Sequence, residues 1–142
     1  MAGSMTDLGE KAVLDYILRN ATMGLDATNI YVILGTAGSD TGVTELAATG
    51  AYARVAVNRT GSGWDAATGN SPSLSDNTGA ITFPTATADW NTGSNIGYFG
   101  LAKSATVGTA DVLWWGDLTT AKSVLNGDTA SFAAGELDVT QD

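Results

Sequence analysis

The last third of the chain repeats one pattern, in which short apolar runs are separated by turns that contain Gly and Asp. An apolar run with a tryptophan pair spans residues 112–118, and turn residues follow at Gly127-Asp128 and again at Gly135. Short strands with turn signals at regular spacing are typical of a β-sandwich or a barrel. No catalytic motif interrupts this stretch, so we expect a stable β-rich body.

Earlier segments also show strand-like patterning. In residues 52–58, the small apolar residues Ala53, Val55 and Val57 alternate with Tyr52, Arg54 and Asn58, which predicts one inward face. Two polar loops are expected, at residues 35–42 and 59–79. The predicted strands lie at residues 30–34, 52–58, 80–83, 95–101, 111–118, 122–125, 129–132 and 136–140. The predicted fold is mainly β, a β-sandwich or jelly-roll-like barrel of about eight strands with one N-terminal amphipathic helix.

The N-terminal region carries a helical pattern. A capping-box spacing begins at Asp7, and Gly24 supplies a residue that accepts a left-handed cap, which predicts a helix over residues 7–24. One apolar stripe follows the i, i+3, i+4 rule. It consists of Leu14, Ile17, Leu18 and Ala21. We expect Leu14, Ile17 and Leu18 of this stripe to lie in an interface with neighbouring molecules.

The length of 142 residues fits one domain, because a chain of this size buries about 68 to 70% of its unfolded surface. We expect a flexible leader at residues 1–6 and one domain at residues 7–142. Within that domain the helix occupies residues 7–24 and the β-sandwich residues 30–141.

Composition excludes several classes of function. The formal charge is −9 and the six Lys and Arg residues are scattered, which argues against nucleic-acid binding. No stretch approaches the roughly 18 consecutive apolar residues of a membrane helix. The chain contains neither His nor Cys, so His- or thiolate-ligated metals, disulfides and Ser-His-Asp catalysis are excluded. We expect no cofactor, and only 15% charged residues leave neutral surface for contacts with partners.

Carboxylate chemistry stays open, because the chain has 15 Asp and Glu residues. A pair about 5 to 9.5 Å apart would suit glycoside hydrolysis. Asp40, Asp76 and Asp128, however, stand beside Gly, Asn or Thr in apparent turns, where Asp is favoured because it accepts backbone hydrogen bonds. No loop has the ligand spacing of a specific calcium site.

Tryptophans and one arginine complete the candidate interface residues. Trp114 and Trp115 should point to opposite faces of a strand, so that one ring faces outward unless both lie between layers. For Trp64 and Trp90, fixing loops is favoured over ligand binding. Arg54 is expected to form an exposed pair with Glu45 worth about 0.2 to 1 kcal/mol, with an acidic patch on a neighbour as the alternative.

Several segments together resemble a family of small tailed-phage virion proteins, commonly labelled tail-fibre-like. The resemblance extends from the helix to Thr140. The segments that carry it are Gly42-Val43-Thr44-Glu45, Ala51-Tyr52-Ala53-Arg54, Ile81-Thr82-Phe83-Pro84-Thr85-Ala86-Thr87-Ala88-Asp89-Trp90, Leu118-Thr119-Thr120 and Gly127-Asp128-Thr129-Ala130-Ser131-Phe132-Ala133-Ala134-Gly135.

This resemblance implies a non-enzymatic virion protein that is made in the host cytoplasm. We expect a capsid decoration (cement) protein on the head shell, because the chain has no coiled-coil or repeat shaft. Its partners would be the major capsid protein or other virion proteins, and a homo-oligomer such as a trimer is implied. The alternative is a tail or tail-fibre component that binds host-surface glycans through Trp64, Trp90 or the outward ring of the Trp114/Trp115 pair. The third hypothesis is a glycan hydrolase that uses a pair of carboxylates.

Overall fold

The computed structural model describes residues 3–91 and 95–142. Within these ranges the chain forms one helix and ten strands, which confirms a mainly β fold with an N-terminal helix. The elements are β1 (Gly3–Met5), α1 (Asp7–Arg19), β2 (Asn29–Ser39), β3 (Gly42–Glu45), β4 (Val55–Asn58), β5 (Ser73–Asp76), β6 (Ile81–Thr82), β7 (Ile96–Ala102), β8 (Val112–Lys122), β9 (Ser131–Phe132) and β10 (Asp138–Gln141).

A six-stranded antiparallel sheet forms the centre of the molecule. Its order is β1-β8-β7-β2-β3, and β4 also pairs with β2. The first half of β2 pairs with β4 and its second half with β3, so one long strand serves two partners on the same side. Two antiparallel pairs, β5 with β10 and β6 with β9, complete the β-structure.

The middle of β2 is buried on both faces of this sheet. Val32 and Ile33 are 0% exposed and Leu34 is 3% exposed. Val32 and Leu34 belong to the larger core, whereas Ile33 packs with Ala102 and Val112 on the opposite face. A continuous apolar run, rather than an alternating one, is the pattern expected for such a strand.

The larger core contains a cluster of aromatic rings. Tyr52 meets Trp90 edge to face, with ring centroids 5.3 Å apart, and stacks with Phe83 at 6.2 Å. Asn77, which is fully buried, donates to the carbonyl oxygens of Gly79 and Ala133 and accepts from the Leu137 amide. The loops that cover the sheet are therefore fixed by packing and by a satisfied buried amide.

The N-terminus differs from the sequence-based expectation. Met1 and Ala2 lie outside the described residues, but Gly3–Met5, which was expected to belong to a flexible leader, pairs with β8. A Cβ at Gly3 would collide with the carbonyl oxygen of Trp115. Glycine thus allows this edge strand to approach β8 closely.

The helix is shorter at its end than residues 7–24. Thr6, rather than Asp7, is the N-cap, and its side chain accepts from the Gly9 amide. The helix ends at Arg19 because Asn20 adopts the left-handed conformation, with φ 52° and ψ 32°. Asn is one of the residues that tolerate this conformation at a helix end.

Other boundaries also change. The expected polar loop at residues 35–42 is wrong, since β2 continues to Ser39 and turns into β3. The expected loop at residues 59–79 contains β5. Because β8 continues to Lys122, residues 122–125 do not form a separate strand. In residues 52–58 the predicted faces hold for Val55 and Val57, which pack against the larger core. They are reversed at the start of the segment, where Tyr52 and Arg54 are buried and Ala53 is exposed.

Candidate functional site

The first turn of α1 is tightly joined to β8. Thr6 is 1% exposed, its Oγ1 donates to the Val112 carbonyl oxygen at 2.7 Å, and its amide donates to the Leu113 carbonyl oxygen at 2.9 Å. Gly9 is buried one turn later, and a Cβ there would collide with the Leu113 carbonyl oxygen. The helix therefore starts from a fixed point on the sheet.

The apolar stripe of α1 points away from the body of the protein. Gly9, Ala12 and Val13, which share a face by their spacing, are buried or half-buried. The stripe lies on the other side of the helix. Its residues are Leu14 (58% exposed), Ile17 (67%) and Leu18 (75%), and we call them the outward stripe. The structure thus leaves the three predicted helical interface residues without cover in the single chain.

Arg54 lies in a buried ion-pair network and not on the surface. Its Nε and Nη2 donate to the two carboxylate oxygens of Glu45 at 2.9 and 2.8 Å. Its Nη1 donates to Asp111 Oδ1 at 2.8 Å, and the Ser104 and Thr109 carbonyl oxygens accept the remaining donors. The predicted pair with Glu45 is confirmed, but its predicted exposure is wrong, because the Arg54 side chain is 0% exposed.

The electrostatics of this network follow from burial and pairing. Burial alone lowers the pKa of the Arg54 guanidinium, but the hydrogen bonds that it donates to the Glu45 and Asp111 carboxylates outweigh burial, so the pKa is raised. Burial also raises the pKa of the neighbouring Tyr52 phenol, which donates to Glu45 Oε1. With all five guanidinium donors used inside the chain, Arg54 has none left for a neighbouring subunit.

Trp90 also belongs to the interior. It is 3% exposed, and its Nε1 donates to the Gly50 carbonyl oxygen at 2.7 Å. A Cβ at Gly50, whose φ is +58°, would lie 3.1 Å from Trp90 Cδ1. The loop-fixing interpretation therefore describes Trp90, and its ring is not available for stacking on a sugar.

Trp114 and Trp115 point to opposite faces of β8, as predicted. Trp114 donates from Nε1 to the Thr140 carbonyl oxygen at 3.0 Å. Trp115 lies beside Tyr98, with ring centroids 6.2 Å apart, and donates to Asp40 Oδ1 at 3.2 Å. Tyr98 and Trp115, both half-buried, form what we call the aromatic platform.

Trp64 and Trp114 line an apolar cavity of about 290 Å³, which we call the tryptophan cavity. Both rings are half-buried, and Arg59 at the cavity donates from Nε to the Asp26 carbonyl oxygen at 2.6 Å. The remaining lining residues are Met23, Leu25, Ile30, Ser75, Leu101, Leu113 and Val139. Sequence reasoning missed this cavity, because its walls come from segments far apart in the chain.

The carboxylates near a second cavity, which is larger than the tryptophan cavity, are engaged in turns. This cavity of about 640 Å³ is lined in part by Lys122, Asp128 and Glu136. Asp128 Oδ2 accepts from the Leu125 amide at 3.0 Å, and Glu136 Oε2 accepts from the Ala133 amide at 2.6 Å. The turn interpretation is confirmed for Asp128. These contacts give both carboxylates structural roles and supply no support for a hydrolase.

Asp40 lies in a turn as interpreted, but its carboxylate binds side chains and not nearby backbone, whereas Asp76 lies in a strand. Asp40 Oδ1 accepts from the side chains of Ser4 and Trp115, and so connects the turn after β2 with β1 and β8. Asp76 lies in β5 directly opposite Asp138 of β10. Burial, then the charges of Asp138 and Asp65, raise the pKa of Asp76.

The described ranges contain neither a candidate metal cluster nor a candidate membrane helix. Among residues 3–91 and 95–142, no group of three or more acidic side chains is arranged to hold a metal ion. In the same part of the chain, the helix is neither long nor apolar enough to cross a membrane.

Comparison with known proteins corrects the expected place in the virion. A search of curated proteins finds no match. The model of one family, described as Gp80, podophage GP4 fiber I protein gp80, matches residues 4–140. The head-decoration prediction is therefore wrong. It relied on the absence of a shaft from this chain, and one chain of a fibre need not contain the shaft. The chain belongs to the podophage GP4 fiber I protein gp80 family and is a tail fibre protein of the virion.

Proposed function

We propose that this protein is a non-enzymatic fibre subunit that assembles with further copies of itself by burying the outward stripe of α1. The supporting observation is the exposure of Leu14, Ile17 and Leu18, at 58, 67 and 75%. Apolar residues at this spacing on a helix are normally buried. Here they lie on the side of α1 opposite the body, so a partner has to cover them.

The size of the stripe determines how much further surface the partner must bury. Complete burial of a Leu or Ile side chain contributes about 1.5 to 3 kcal/mol. The exposed fractions of the three stripe residues add up to about two whole side chains, so covering the stripe contributes roughly 3 to 6 kcal/mol per copy. Association costs about 4 to 15 kcal/mol in lost freedom of motion. The stripe alone does not offset that cost, and a stable oligomer needs additional surface, to about 800 Å² per partner.

A closed ring of copies provides that surface, since each copy then contributes one stripe and one receiving surface. We propose a trimer. Each copy carries a net charge of −9, so the copies repel one another at long range. Because salt at physiological strength screens charges beyond about 8 Å, we expect assembly to strengthen as the salt concentration rises.

The test replaces the outward stripe with polar residues. The variant Leu14→Gln/Ile17→Gln/Leu18→Gln should be monomeric, while the parent chain has three times the 14.4 kDa mass of one chain. Multi-angle light scattering at several protein and salt concentrations measures this. Leu125→Gln is the matched control, because Leu125 is also apolar and 51% exposed but lies far from α1 in sequence. A parent chain that remains monomeric at high concentration contradicts the proposal.

The aromatic platform favours a second candidate function, binding of a host-surface glycan. Tyr98 and Trp115 lie side by side on the sheet face opposite the larger core. A Cβ at Gly38 would lie 2.7 Å from the Tyr98 ring and 2.9 Å from the Trp115 ring, so glycine lets both rings lie over the strand. Rings of this amphipathic kind pair an apolar face with a polar edge, and the exposed Asp40 carboxylate stands at the Trp115 edge.

The glycan candidate is tested by binding to polysaccharide from the host surface. Tyr98→Ala/Trp115→Ala should abolish binding, and Leu125→Ala should retain it. Of the rings first considered for sugars, Trp90 is excluded by burial. Binding that survives loss of both platform rings contradicts this candidate.

A further inference from the structure

We propose that the tryptophan cavity of one copy receives Ile17 and Leu18 from the helix of a second copy. This inference rests on the proposed assembly through the outward stripe and specifies the surface that the stripe contacts. It assigns a partner to two features that a single chain leaves unmatched. One is a convex apolar ridge and the other is a concave apolar cavity.

The cavity has the chemistry to accept aliphatic side chains. Its walls include Met23, Leu25, Leu113 and Val139 besides the two tryptophan rings. A dry apolar cavity of about 150 Å³ is large enough to bind benzene. At about 290 Å³, the tryptophan cavity has room for two aliphatic side chains.

The same copy does not fill this cavity with its own stripe. Thr6 and Gly9 fix the first turn of α1 on β8, and the spacing of the helix turns Leu14, Ile17 and Leu18 to the side opposite the body. The chain after Asn20 instead returns over the body with Met23 and Leu25, which become walls of the cavity. The ridge and the cavity are therefore two separate surfaces of one copy, since none of the three stripe residues lines the cavity.

When the ridge of one copy enters the cavity of the next, two different surfaces meet, which is a head-to-tail contact. Such contacts close into a ring when the rotation between copies permits it. This geometry also supplies the additional buried surface that a stable oligomer needs, because each copy buries both its stripe and the walls of its cavity. The contact therefore exceeds the area of three helical side chains.

Charge favours the same pairing. The chain has only six Lys and Arg residues, and two of them lie at this surface. Arg59 lines the cavity beside Asp26, and Lys103 Nζ lies 3.5 Å from the position of a Cβ at Gly24. The helix presents exposed Glu10 next to the outward stripe. On an acidic protein, a surface with two cations is a favourable place for the Glu10 carboxylate.

The absence of cysteine from the chain makes a direct test simple. Two single variants, Leu18→Cys on the helix and Ser75→Cys at the cavity, are mixed, allowed to exchange subunits and treated with a short bismaleimide. We expect a cross-linked pair that contains one copy of each variant, identified by mass spectrometry. Val139→Cys gives a second cavity position, and Leu125→Cys is the control position for random collision.

The outcomes separate this inference from the proposed function. Cross-linking of Leu18→Cys to both cavity positions, at least ten times above the Leu125→Cys control, supports the inference. An oligomer in which Leu18→Cys links only to itself, or to no position, overturns the inference and leaves stripe-mediated assembly standing. A parent chain that forms no oligomer overturns both.

Discussion

The buried network of Arg54 allows the sharpest prediction about stability. Arg54→Met removes the cation and leaves the Glu45 and Asp111 carboxylates, whose side chains are 7 and 8% exposed, without their partner. Removal of one member of a buried ion pair costs about 3 to 5 kcal/mol. The folded state of a domain is stabilised by only about 5 to 15 kcal/mol, so this one substitution consumes a large share of the total.

Urea unfolding followed by tryptophan fluorescence measures this loss. With a urea dependence of about 2 kcal/mol per molar, the midpoint should fall by roughly 1.5 to 2.5 M. Arg19→Met is the matched control, because Arg19 pairs with Asp15 on the exposed helix surface with a side chain that is 74% exposed. That pair is expected to contribute only about 0.3 to 0.5 kcal/mol.

A third variant isolates the cause. Arg54→Met/Glu45→Gln/Asp111→Asn removes both carboxylate charges together with the cation, so it should regain part of the stability that Arg54→Met loses. If Arg54→Met costs less than about 1 kcal/mol, the pair behaves as an exposed one and the reasoning from burial is refuted. If the triple variant is the least stable of all, unpaired charge is not the cause.

Further substitutions test two other contacts, the one between Asp76 and Asp138 and the packing of Gly9 on β8. The pKa of Asp76 is raised by burial and by Asp138 and Asp65, so stability is greatest below the unfolded pKa of about 3.9 and falls as pH rises through the raised value. Asp76→Asn should therefore raise the melting temperature at pH 7 but not at pH 3. Asp138→Asn relieves the same repulsion, so the double variant should gain less than the sum, and an additive gain would contradict the pairing. Gly9→Ala should lower stability by about 1 to 3 kcal/mol, because its Cβ would collide with the Leu113 carbonyl oxygen. At an exposed helical position the same change would stabilise by about 1 kcal/mol, so a stabilised variant in thermal unfolding would show that α1 does not pack closely on β8.

The local sequence was sufficient to predict those features that depend on a single segment of the chain. The apolar run of β2 predicted a buried strand, and strand geometry predicted opposite faces for Trp114 and Trp115. The periodicity of α1 predicted one apolar stripe. In each case the relevant residues are neighbours along the chain, so their spacing carries the information.

Contacts between segments that are distant in sequence could not be predicted from residue spacing. Arg54 was expected on a surface because charged residues are rarely buried, yet Asp111 and two carbonyl groups complete its coordination from 50 to 57 residues away. The walls of the tryptophan cavity likewise come from separate parts of the chain. Periodicity also does not say whether an apolar face meets the same molecule or another one, so only the structure shows that the outward stripe is uncovered.

The attachment of α1 has a mechanical consequence for a protein in a fibre. Tension applied to the helix enters the body by two routes, backwards through Thr6 and β1 into β8, and forwards through the connecting segment into β2. Both β8 and β2 pair with β7. The two routes therefore meet at β7, the strand that both β8 and β2 flank. A pulling force on the helix is then shared among the backbone hydrogen bonds of this sheet.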